Sequence, residues 1–363
     1  MKRKGPGPDG ANIEPVPSRT RRALLKWFDG NRRELPWRNI QDPYAIWVSE
    51  VMLQQTRVEV VLPRYGRFLS RFPSLKSLAR SGAAEVAAEW SGLGYYRRAQ
   101  NLHAAARMIV RDHGGVFPAD PKQAASLPGV GAYTSHAVLS IAYGLPLAVV
   151  DGNVERVLSR LSLLPVRPRS VIQKEADRLL SPKRPGDSNQ ALMELGATVC
   201  LPRSPRCGVC PLGAMCGALQ SGRVALFPPA VSRPRVIQVD TTIWIVRDRA
   251  GRIWLEKRSN TPLRGLWMLP WRDGRASGDG RPAGTVSHAI MNRRYRCAIY
   301  LPRILPEKIP GEAAGPGRWV EPDGIARLPH SSLLTKALAA IGTSIPSRSK
   351  LMDEPDGPPT NSM

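Results

Sequence analysis

Four of the five cysteines lie between residues 200 and 216, in the spacing Cys200-x6-Cys207-x2-Cys210-x5-Cys216, and no histidine separates them. Four thiols in one short segment are a usual ligand set for an iron–sulfur cluster or a structural zinc ion. Two disulfides are the alternative, but folds that depend on disulfides are usually much shorter than 363 residues. The spacing therefore favours a metal site and leaves the metal open.

The charge of the chain indicates a polyanionic partner. Lys and Arg total 53 against 29 Asp and Glu, which gives a formal net charge of +24. Neutralising phosphates releases counterions, so such an excess favours nucleic acid binding without sequence preference. The start Met1-Lys-Arg-Lys4 is not followed by an apolar run, and the longest apolar stretch, 137–150, is too short to span a bilayer. We expect no membrane partner and a cytoplasmic protein, associated with the nucleoid if the source is bacterial.

The sequence pattern predicts two domains between two tails. Residues 1–17 are rich in Gly, Pro and basic residues and are expected to be a disordered basic tail. Apolar residues recur at helical spacing over 18–223, where strand signals are scarce. A linker over 224–235 leads to an α+β domain over 236–343, with strands predicted at 239–247, 252–258 and 295–301 and a helix at 332–341. Residues 344–363 are expected to be a second disordered tail.

The segment Leu127-Pro-Gly-Val-Gly-Ala-Tyr-Thr134 is typical of a tight turn that opens a helix. Glycines let the backbone lie against a phosphate, and the N–H groups at a helix start attract anions. The turn Gly129-Val130-Gly131 is therefore a candidate DNA-backbone contact. An ordinary helix–turn–helix packing element is the alternative for this segment taken alone.

Together, these motifs resemble the endonuclease III superfamily of DNA glycosylases. The resemblance rests on three features: the 127–134 turn with its flanking helices, read as a helix–hairpin–helix; the segment Val150-Asp-Gly-Asn153; and the four cysteines. The matching motifs are dense from about Arg19 to Leu226. Val48-Ser-Glu-Val-Met-Leu-Gln-Gln-Thr56 and Gly92-Leu-Gly-Tyr-Tyr-Arg97 are similar to the adenine DNA glycosylase branch, the MutY family. The resemblance implies an all-α helix-hairpin-helix domain with a [4Fe–4S] cluster on Cys200, Cys207, Cys210 and Cys216. It also implies a DNA-facing loop bordered by Arg203 and Arg206.

Two carboxylates carry the chemistry that this resemblance implies. Glu50 lies in an apolar helical segment, where burial would raise its pKa and keep a proton available near neutral pH. A solvent-exposed helical glutamate is the alternative. Asp151 is expected to cap a helix and, by resemblance, to stabilise the cationic sugar, with Asn153 supporting it in the same pocket.

Tyr133 decides between two reactions within the superfamily. Bifunctional relatives place a lysine at this position, which forms a Schiff base and then cleaves the strand. A phenol cannot form that imine, so Tyr133 predicts a glycosylase in which water completes the reaction. A surface tyrosine at a helix start is the alternative.

The resemblance also nominates residues that bind the base and fill the gap left in the DNA stack. Gln55 and Tyr95 are the candidates for intercalation, and Arg38 and Leu53 are the candidates for the surroundings of the adenine pocket. Because extruding a nucleotide costs a few kcal/mol, such gap-filling side chains are expected.

The α+β domain resembles the Nudix-like module that reads 8-oxoguanine in this family. The landmarks are Gly265-Leu-Trp-Met-Leu-Pro270, Ser287-His288 and Arg318-Trp-Val320, without the acidic helix that binds Mg²⁺. The family has an aromatic residue before Ser-His, whereas this chain has Val286, so Ser287 and His288 are expected to contribute hydrogen bonds. Cys297, in a predicted strand, is expected to be a buried core thiol.

The resulting hypothesis is a monofunctional DNA glycosylase that excises adenine mispaired with 8-oxoguanine or guanine. Its expected partner is duplex DNA with these mispairs, and the protein is expected to be a monomer. Two alternatives remain open: a bifunctional endonuclease III-type glycosylase and lyase, and a non-catalytic DNA-damage-binding protein.

Overall fold

The computed structural model of the chain describes residues 18–164, 168–229, 235–259, 263–274, 280–302 and 316–343. The predicted tails, 1–17 and 344–363, and the middle of the predicted linker lie outside the described residues. The chain forms two compact units. The first unit combines the chain up to Val51 with Val116–Val231, and the second unit combines Met52–Gly115 with the chain from Ser232 onward.

The described residues up to 229 are helical, as predicted. The helices are α1 Ser18–Asn31, α2 Pro43–Leu53, α3 Val58–Arg71, α4 Leu75–Arg80, α5 Ala83–Glu89, α6 Arg97–Asp112, α7 Pro121–Ser126, α8 Ala132–Ala142, α9 Gly152–Ser162, α10 Arg169–Leu179, α11 Pro185–Thr198 and α12 Gly217–Gln220. Among the described residues, every helix is too short or too polar to cross a membrane.

Two aspartate–proline pairs, Asp42-Pro43 and Asp120-Pro121, begin helices. The Asp42 carboxylate accepts a hydrogen bond from the backbone N–H of Tyr44 at 2.9 Å, next to the start of α2. Asp120 accepts from the N–H groups of Lys122 and Gln123 at 3.0 and 2.9 Å, and Pro121 is the first residue of α7. These caps satisfy N–H groups that the helix itself leaves without partners. They fix the starts of the helix that carries Glu50 and of the hairpin.

The core of the first unit lies between α1, α9, α10 and α11. Leu24 and Phe28 of α1 pack with the apolar faces of the other three helices, and Cys200, Cys210 and Cys216 pack at the edge of this core. Helices α8 and α11 approach each other closely at Gly186, where a Cβ atom would lie 2.8 Å from the Cα of Ile141. The cysteine segment is therefore built onto the same core that positions α9 and α11.

The described residues after 235 form two small sheets and one α-helix. The strands are β1 Ile237–Trp244, β2 Ile253–Lys257, β3 Trp267–Met268, β4 Trp271–Asp273, β5 Arg281–Ile290, β6 Arg293–Leu301 and β7 Gly317–Val320, followed by α13 Ser332–Ala339. One sheet has the order β4-β1-β6-β5, in which β1 and β6 are parallel, and the other has the order β3-β2-β7. Apolar residues of both sheets and α13 form the core of the second unit. The predicted fold class, a helical domain followed by a smaller α+β domain, is confirmed.

Local predictions in this region were less complete. The turn at Asp248 forms, because its carboxylate accepts from the Arg252 N–H at 2.9 Å. A short antiparallel hairpin forms around this turn, where Arg247 bridges Ile253 and the N–H of Trp254 donates to the carbonyl of Val246 at 3.0 Å. Beyond it the two strands separate: β1 pairs with β4 and β6, and β2 pairs with β3 and β7. Strand β5 was not predicted, since its exposed, polar sequence lacks the apolar alternation of a strand that covers a core. Cys297 is fully buried in β6, as predicted.

The second compact unit combines the helical segment Met52–Gly115 with the C-terminal region. The Tyr96 hydroxyl donates a hydrogen bond to the carbonyl of His330, and the Tyr96 ring packs against the core of the two sheets. This grouping differs from a boundary placed at 224–235, where the change from helices to strands lies. The predicted domain boundaries remain a prediction.

Candidate active site

Glu50 is a buried carboxylate in the middle of α2. Only 7% of the residue is exposed, and its neighbours Trp47, Val48 and Val51 are buried core residues. Burial raises the pKa of Glu50 to about 7; the hydrogen bond from Tyr133 partly opposes this, and the charge of Asp151 adds to it. The carboxyl group therefore holds a proton over part of the neutral range, which is the property that a general acid requires.

Tyr133 lies in the first turn of α8, immediately after the predicted hairpin turn. Its hydroxyl lies 3.1 Å from Oε2 of Glu50 and 3.4 Å from the sulfur of Met193. Burial raises the pKa of Tyr133 well above its ordinary value, and the charges of Glu50 and Asp151 raise it further. The phenol is therefore a hydrogen-bond donor that orients the Glu50 carboxyl group.

Asp151 is the N-cap of α9, as the sequence predicts. Its Oδ1 accepts from the backbone N–H of Val154 at 2.7 Å, and its Oδ2 accepts from Nδ2 of Asn153 at 3.0 Å. Both oxygens thus have fixed donors, which hold the carboxylate in one orientation. The structure brings Glu50, Tyr133, Asp151 and Asn153 together within the first unit, although they come from three different helices and a cap.

Arg156, one turn into α9, connects Asn153 to the segment that holds the cysteines. Its guanidinium donates to Oδ1 of Asn153 at 2.9 Å, to the carbonyl of Gly196 at 2.7 Å and to the carbonyl of Cys200 at 2.7 Å. The sequence does not identify Arg156 as a site residue, because an arginine inside an amphipathic helix looks the same as an ordinary surface arginine. Its contacts make it a support for the cap.

Arg38 and Glu194 form a buried ion pair that the sequence analysis did not anticipate. Nη2 of Arg38 lies 2.6 Å from Oε2 of Glu194, and Arg33 donates to Oε1 of the same carboxylate at 2.7 Å. Burial would raise the pKa of Glu194, but the hydrogen bonds from both arginines outweigh it and lower the pKa to about 2. Glu194 follows Met193, which contacts Tyr133. Helix α11 also carries Asp187, Asn189 and Gln190, so its sequence gives no signal that distinguishes Glu194 from an exposed glutamate.

The turn between α7 and α8 has the geometry of an anion site. Gly129 has a φ of 74°, which other residues rarely adopt. Val130 is buried, whereas Gly129 and Gly131 are exposed. Gly131 caps α8 without a side-chain hydrogen bond, and a Cβ atom built on it would meet nothing within 4 Å. The first N–H groups of α8 are therefore accessible to an anion such as a DNA phosphate.

Gln55 and Tyr95 lie at the tips of two short loops in the second unit. Both residues have positive φ values, 57° and 47°, and both are exposed. Tyr95 has half of its surface accessible, which is uncommon for an aromatic side chain in a folded protein. Leu53, at the end of α2, is half-buried. The exposure of Gln55 and Tyr95 is compatible with the predicted role in the DNA stack.

Ser287 and His288 lie within β5, and not in a loop. Ser287 is exposed, whereas Val286 and His288 are half-buried, and burial together with the charge of Lys336 lowers the pKa of His288. Strand β5 continues into a tight turn at Met291 and Asn292. Met291 is 80% exposed with a φ of 56°. The sequence pattern gives no signal for this turn, because strand β5, which leads into it, is not predicted either.

The four cysteines are free thiols grouped in one loop, and each is half-buried. Burial, with smaller contributions from the neighbouring Cys200, Cys216 and Cys207, raises the pKa of Cys210 to about 11, which places all four sulfurs within electrostatic range. Within the described residues, no three His, Cys, Asp or Glu side chains are gathered closely enough for a single ion. In a [4Fe–4S] cluster, by contrast, each of the four thiolates binds a different iron. The donor set therefore fits a four-cysteine cluster.

Polar groups of the protein surround these sulfurs. Nη1 of Arg160 lies 3.4 Å from Sγ of Cys200, and backbone N–H groups of Leu212 and Leu219 donate to Cys210 and Cys216. Arg160 is 4% exposed and also donates to the carbonyls of Leu201 and Phe227 at 2.7 and 2.8 Å. Donors of this kind stabilise the thiolate form and tune clusters in proteins.

Comparisons with known proteins identify the class to which this arrangement belongs. Residues 48–182 match the family described as "HhH-GPD superfamily base excision DNA repair protein", and residues 200–216 match the iron-sulfur binding domain of endonuclease III. A solved structure of a thermostable thymine-DNA glycosylase is 30% identical and covers 56% of this chain and 97% of its own, with a TM-score of 0.52. The class is therefore a base excision repair protein with an iron–sulfur domain.

The relatives narrow this class to one family. The adenine DNA glycosylase of Buchnera aphidicola subsp. Baizongia pistaciae is 32% identical over 248 residues, which are 67% of this chain and 70% of the relative. The mouse adenine DNA glycosylase is 44% identical over 222 residues, or 56% of this chain. The chain belongs to the adenine DNA glycosylase family. It spans 43% of the length of the mouse relative.

Proposed function

We propose that this protein is a monofunctional DNA glycosylase that releases adenine mispaired with 8-oxoguanine or guanine, acting as a monomer on duplex DNA. One observation carries the proposal: a buried Glu50, with a pKa of about 7, is hydrogen-bonded to Tyr133 and lies within electrostatic range of Asp151. A buried acid beside a second carboxyl group is the arrangement that glycosidic bond cleavage uses.

In the proposed reaction, the Glu50 carboxyl group gives its proton to N7 of the extruded adenine. The bond between C1′ and N9 then breaks, and its electron pair leaves with the base. The Asp151 carboxylate, held by Val154 and Asn153, stabilises the positive charge that develops on the sugar. Water adds to C1′ and gives a proton to the Glu50 carboxylate, which restores the acid.

Tyr133 supports a reaction that ends at the abasic site. Its phenol has no amine with which to form an imine at C1′, and its hydrogen bond to Glu50 gives it a positioning role instead. Lyase activity of the endonuclease III type would require a lysine in this place. The bifunctional alternative is therefore disfavoured by the residue that lies against the general acid.

DNA binding is proposed to use separate features of the two units. In the first unit, the N-terminus of α8 offers N–H groups to a phosphate, and Arg203 and Arg206 are exposed beside the cysteines. In the second unit, Gln55 and Tyr95 are exposed side chains that can fill the space of an extruded nucleotide. A [4Fe–4S] cluster on the four cysteines would hold their loop in one shape, and the excision chemistry does not involve it.

Recognition of 8-oxoguanine is proposed to involve the hairpin of β5 and β6. Ser287 is exposed on β5, and His288 is half-buried beside it. The turn adds an exposed Met291 and Asn292, followed by exposed Arg293 and Arg294, which can face a phosphate backbone. The apolar side chain of Met291 can stack on a base while Arg293 and Arg294 hold the phosphate backbone of the DNA.

The test of the function is release of free adenine from duplexes that contain adenine opposite 8-oxoguanine, guanine or cytosine. We expect release with the strand left intact and no covalent adduct after borohydride treatment, with the fastest rate opposite 8-oxoguanine. Lesion binding without adenine release would establish the non-catalytic alternative, and an efficient borohydride adduct would establish the bifunctional one. Equal rates on all three duplexes would remove the role proposed for the β5–β6 hairpin.

Gly196 gives a specific test of the support behind Asp151 and Asn153. A Cβ atom on Gly196 would lie 2.6 Å from Cβ of Asn153 and 3.1 Å from its backbone. Gly196→Ala should therefore displace the first turn of α9, lower the single-turnover excision rate about tenfold or more and cost about 1–3 kcal/mol of stability. Gly30→Ala in α1, where a Cβ meets nothing within 4 Å, is the matched control. Wild-type rates in Gly196→Ala would contradict the proposed placement of Asn153.

A further inference from the structure

Arg98, in the first turn of α6, binds two separate loops of the second unit with one side chain. Its Nη1 donates to the carbonyls of Met52 and Gln54 at 2.8 and 2.5 Å. Its Nη2 lies 2.9 Å from the Thr56 hydroxyl, 3.0 Å from the carbonyl of Leu93 and 3.2 Å from that of Gly94. The guanidinium thus has five acceptors on residues 52–56 and 93–94.

Each of these loops contains an exposed residue in a left-handed backbone conformation. Gln55 lies between two acceptors of Arg98 and has a φ of 57°, and Tyr95 follows the acceptor Gly94 and has a φ of 47°. Such conformations cost about 1–3 kcal/mol for a residue other than glycine, so surrounding contacts must maintain them. Arg98 provides contacts of this kind on both loops at once.

The aromatic side chains around Arg98 strengthen this arrangement. Its guanidinium carbon lies 5.4 Å from the ring centre of Trp90 and 5.5 Å from that of Tyr95. Burial lowers the pKa of Arg98 to about 10, so the group remains charged at neutral pH. The planar guanidinium has several N–H donors in fixed directions, so it can bond to two loops and lie near two rings at once. A lysine ammonium cannot match that geometry.

We propose that Arg98 is a positioning residue for base extrusion, which holds Gln55 and Tyr95 ready to enter the space that the extruded adenine leaves. This inference rests on the proposed function and adds a requirement for the flipping step. Without the guanidinium, the two loops lose their common anchor and the ordering of Gln55 and Tyr95 must occur during extrusion. Arg98 therefore affects how fast the base leaves the stack, and it does not take part in the chemistry at C1′.

The test uses Arg98→Lys in the Glu50→Gln background, so that extrusion is observed without excision. The probe is a duplex with 2-aminopurine opposite 8-oxoguanine, whose fluorescence rises when the base leaves the stack. We expect Arg98→Lys to slow this rise about tenfold or more, because misplaced groups carry penalties of this size. Thr56→Val removes one acceptor of Arg98 and is expected to give a smaller effect in the same direction, which keeps the test informative if Arg98→Lys folds poorly.

Arg67→Lys is the matched control. Arg67 is a partly buried arginine of the same unit that pairs with the Glu89 carboxylate at 3.0 Å on α5. If the role of Arg98 were purely structural, Arg98→Lys would lower only the amplitude of the fluorescence change, in proportion to the fraction of unfolded protein. The rate constant of the rise would then equal that of Arg67→Lys.

The outcomes separate this inference from the proposed function. An unchanged flipping rate in Arg98→Lys overturns the inference, while adenine release by the wild type would still support the function. Absence of any fluorescence rise with Arg98 intact also overturns it. An Arg98-dependent rise in the Glu50→Gln background, together with no adenine release by the wild type, supports the inference and removes the proposed function.

Discussion

Glu50→Gln should lower the single-turnover rate of adenine excision about 1,000-fold or more while leaving DNA binding intact, since it removes the proton that the leaving base requires. The amide keeps the size of the side chain and can still accept a hydrogen bond from Tyr133. Binding contacts of the protein therefore remain, and only the acid is lost. Single-turnover kinetics and a titration with mispaired duplex measure the two properties separately.

The same substitution should stabilise the protein at alkaline pH. The pKa of Glu50 is about 7 in the folded state against an ordinary value of 4.5, so the folded protein retains a proton that the unfolded chain has released. Stability therefore falls as the pH rises from 4.5 to about 7, and above this window the full cost, about 3 kcal/mol, is present. Glu50→Gln removes this cost.

Urea unfolding at two pH values measures the effect on stability. We expect Glu50→Gln to be more stable than the wild type at pH about 8 and similar to it at pH about 4.5, where Glu50 is protonated in the folded state and half protonated in the unfolded chain. Glu34→Gln is the matched control, because Glu34 is an exposed carboxylate of the same unit. An equal loss of stability in Glu50→Gln at both pH values would show that the pKa of Glu50 is not raised in the folded protein.

Glu194→Gln should cause the largest loss of stability, about 3–5 kcal/mol, because it leaves a buried cation without its partner. The Arg38 side chain is 8% exposed and Glu194 is 1% exposed, whereas Arg33 is 38% exposed and can turn to solvent. The neutral amide cannot compensate the Arg38 charge. The urea midpoint at neutral pH measures the loss.

The pH dependence of this pair gives an internal check. The pKa of Glu194 is about 2 against an ordinary 4.5, so its contribution is complete above pH 4.5 and is lost as the pH falls towards about 2. Asp112→Asn breaks the exposed pair of Asp112 with Arg111 and should leave the stability nearly unchanged, because solvent screens the pair. If Glu194→Gln cost no more than this control, the Arg38–Glu194 pair would not be a buried ionic contact.

The catalytic arrangement could be predicted from the sequence because it depends on short motifs. Asp151 before a glycine and a helix predicts an N-cap, and the structure has that cap. For Glu50, the apolar helix alone leaves burial and exposure open, and the family resemblance favours burial; the residue is buried beside Tyr133. The cap therefore follows from residues within one helical turn, whereas the prediction for Glu50 depends on the longer motif that carries the resemblance. The roles of these residues in catalysis remain proposals.

The long-range contacts could not be predicted in the same way. Arg98, Arg156 and Glu194 obtain their roles from partners that are distant in sequence, for example 161 residues between Arg33 and Glu194. Side-chain patterns along one helix contain no information about such pairs. Strand β5 was missed for a related reason, since its residues are mostly exposed and its position depends on pairing with β6.

The pH dependence of adenine release tests the central claim, that a buried and protonated Glu50 beside Tyr133 and Asp151 releases the base. Single-turnover rate constants are measured on DNA-bound enzyme with adenine opposite 8-oxoguanine, and the fraction of folded, bound protein is checked at each pH. The account predicts a rate that is nearly constant below pH about 6 and falls about tenfold per pH unit above about 7. A rate that stays level or rises up to pH about 9 in folded, bound enzyme would contradict it.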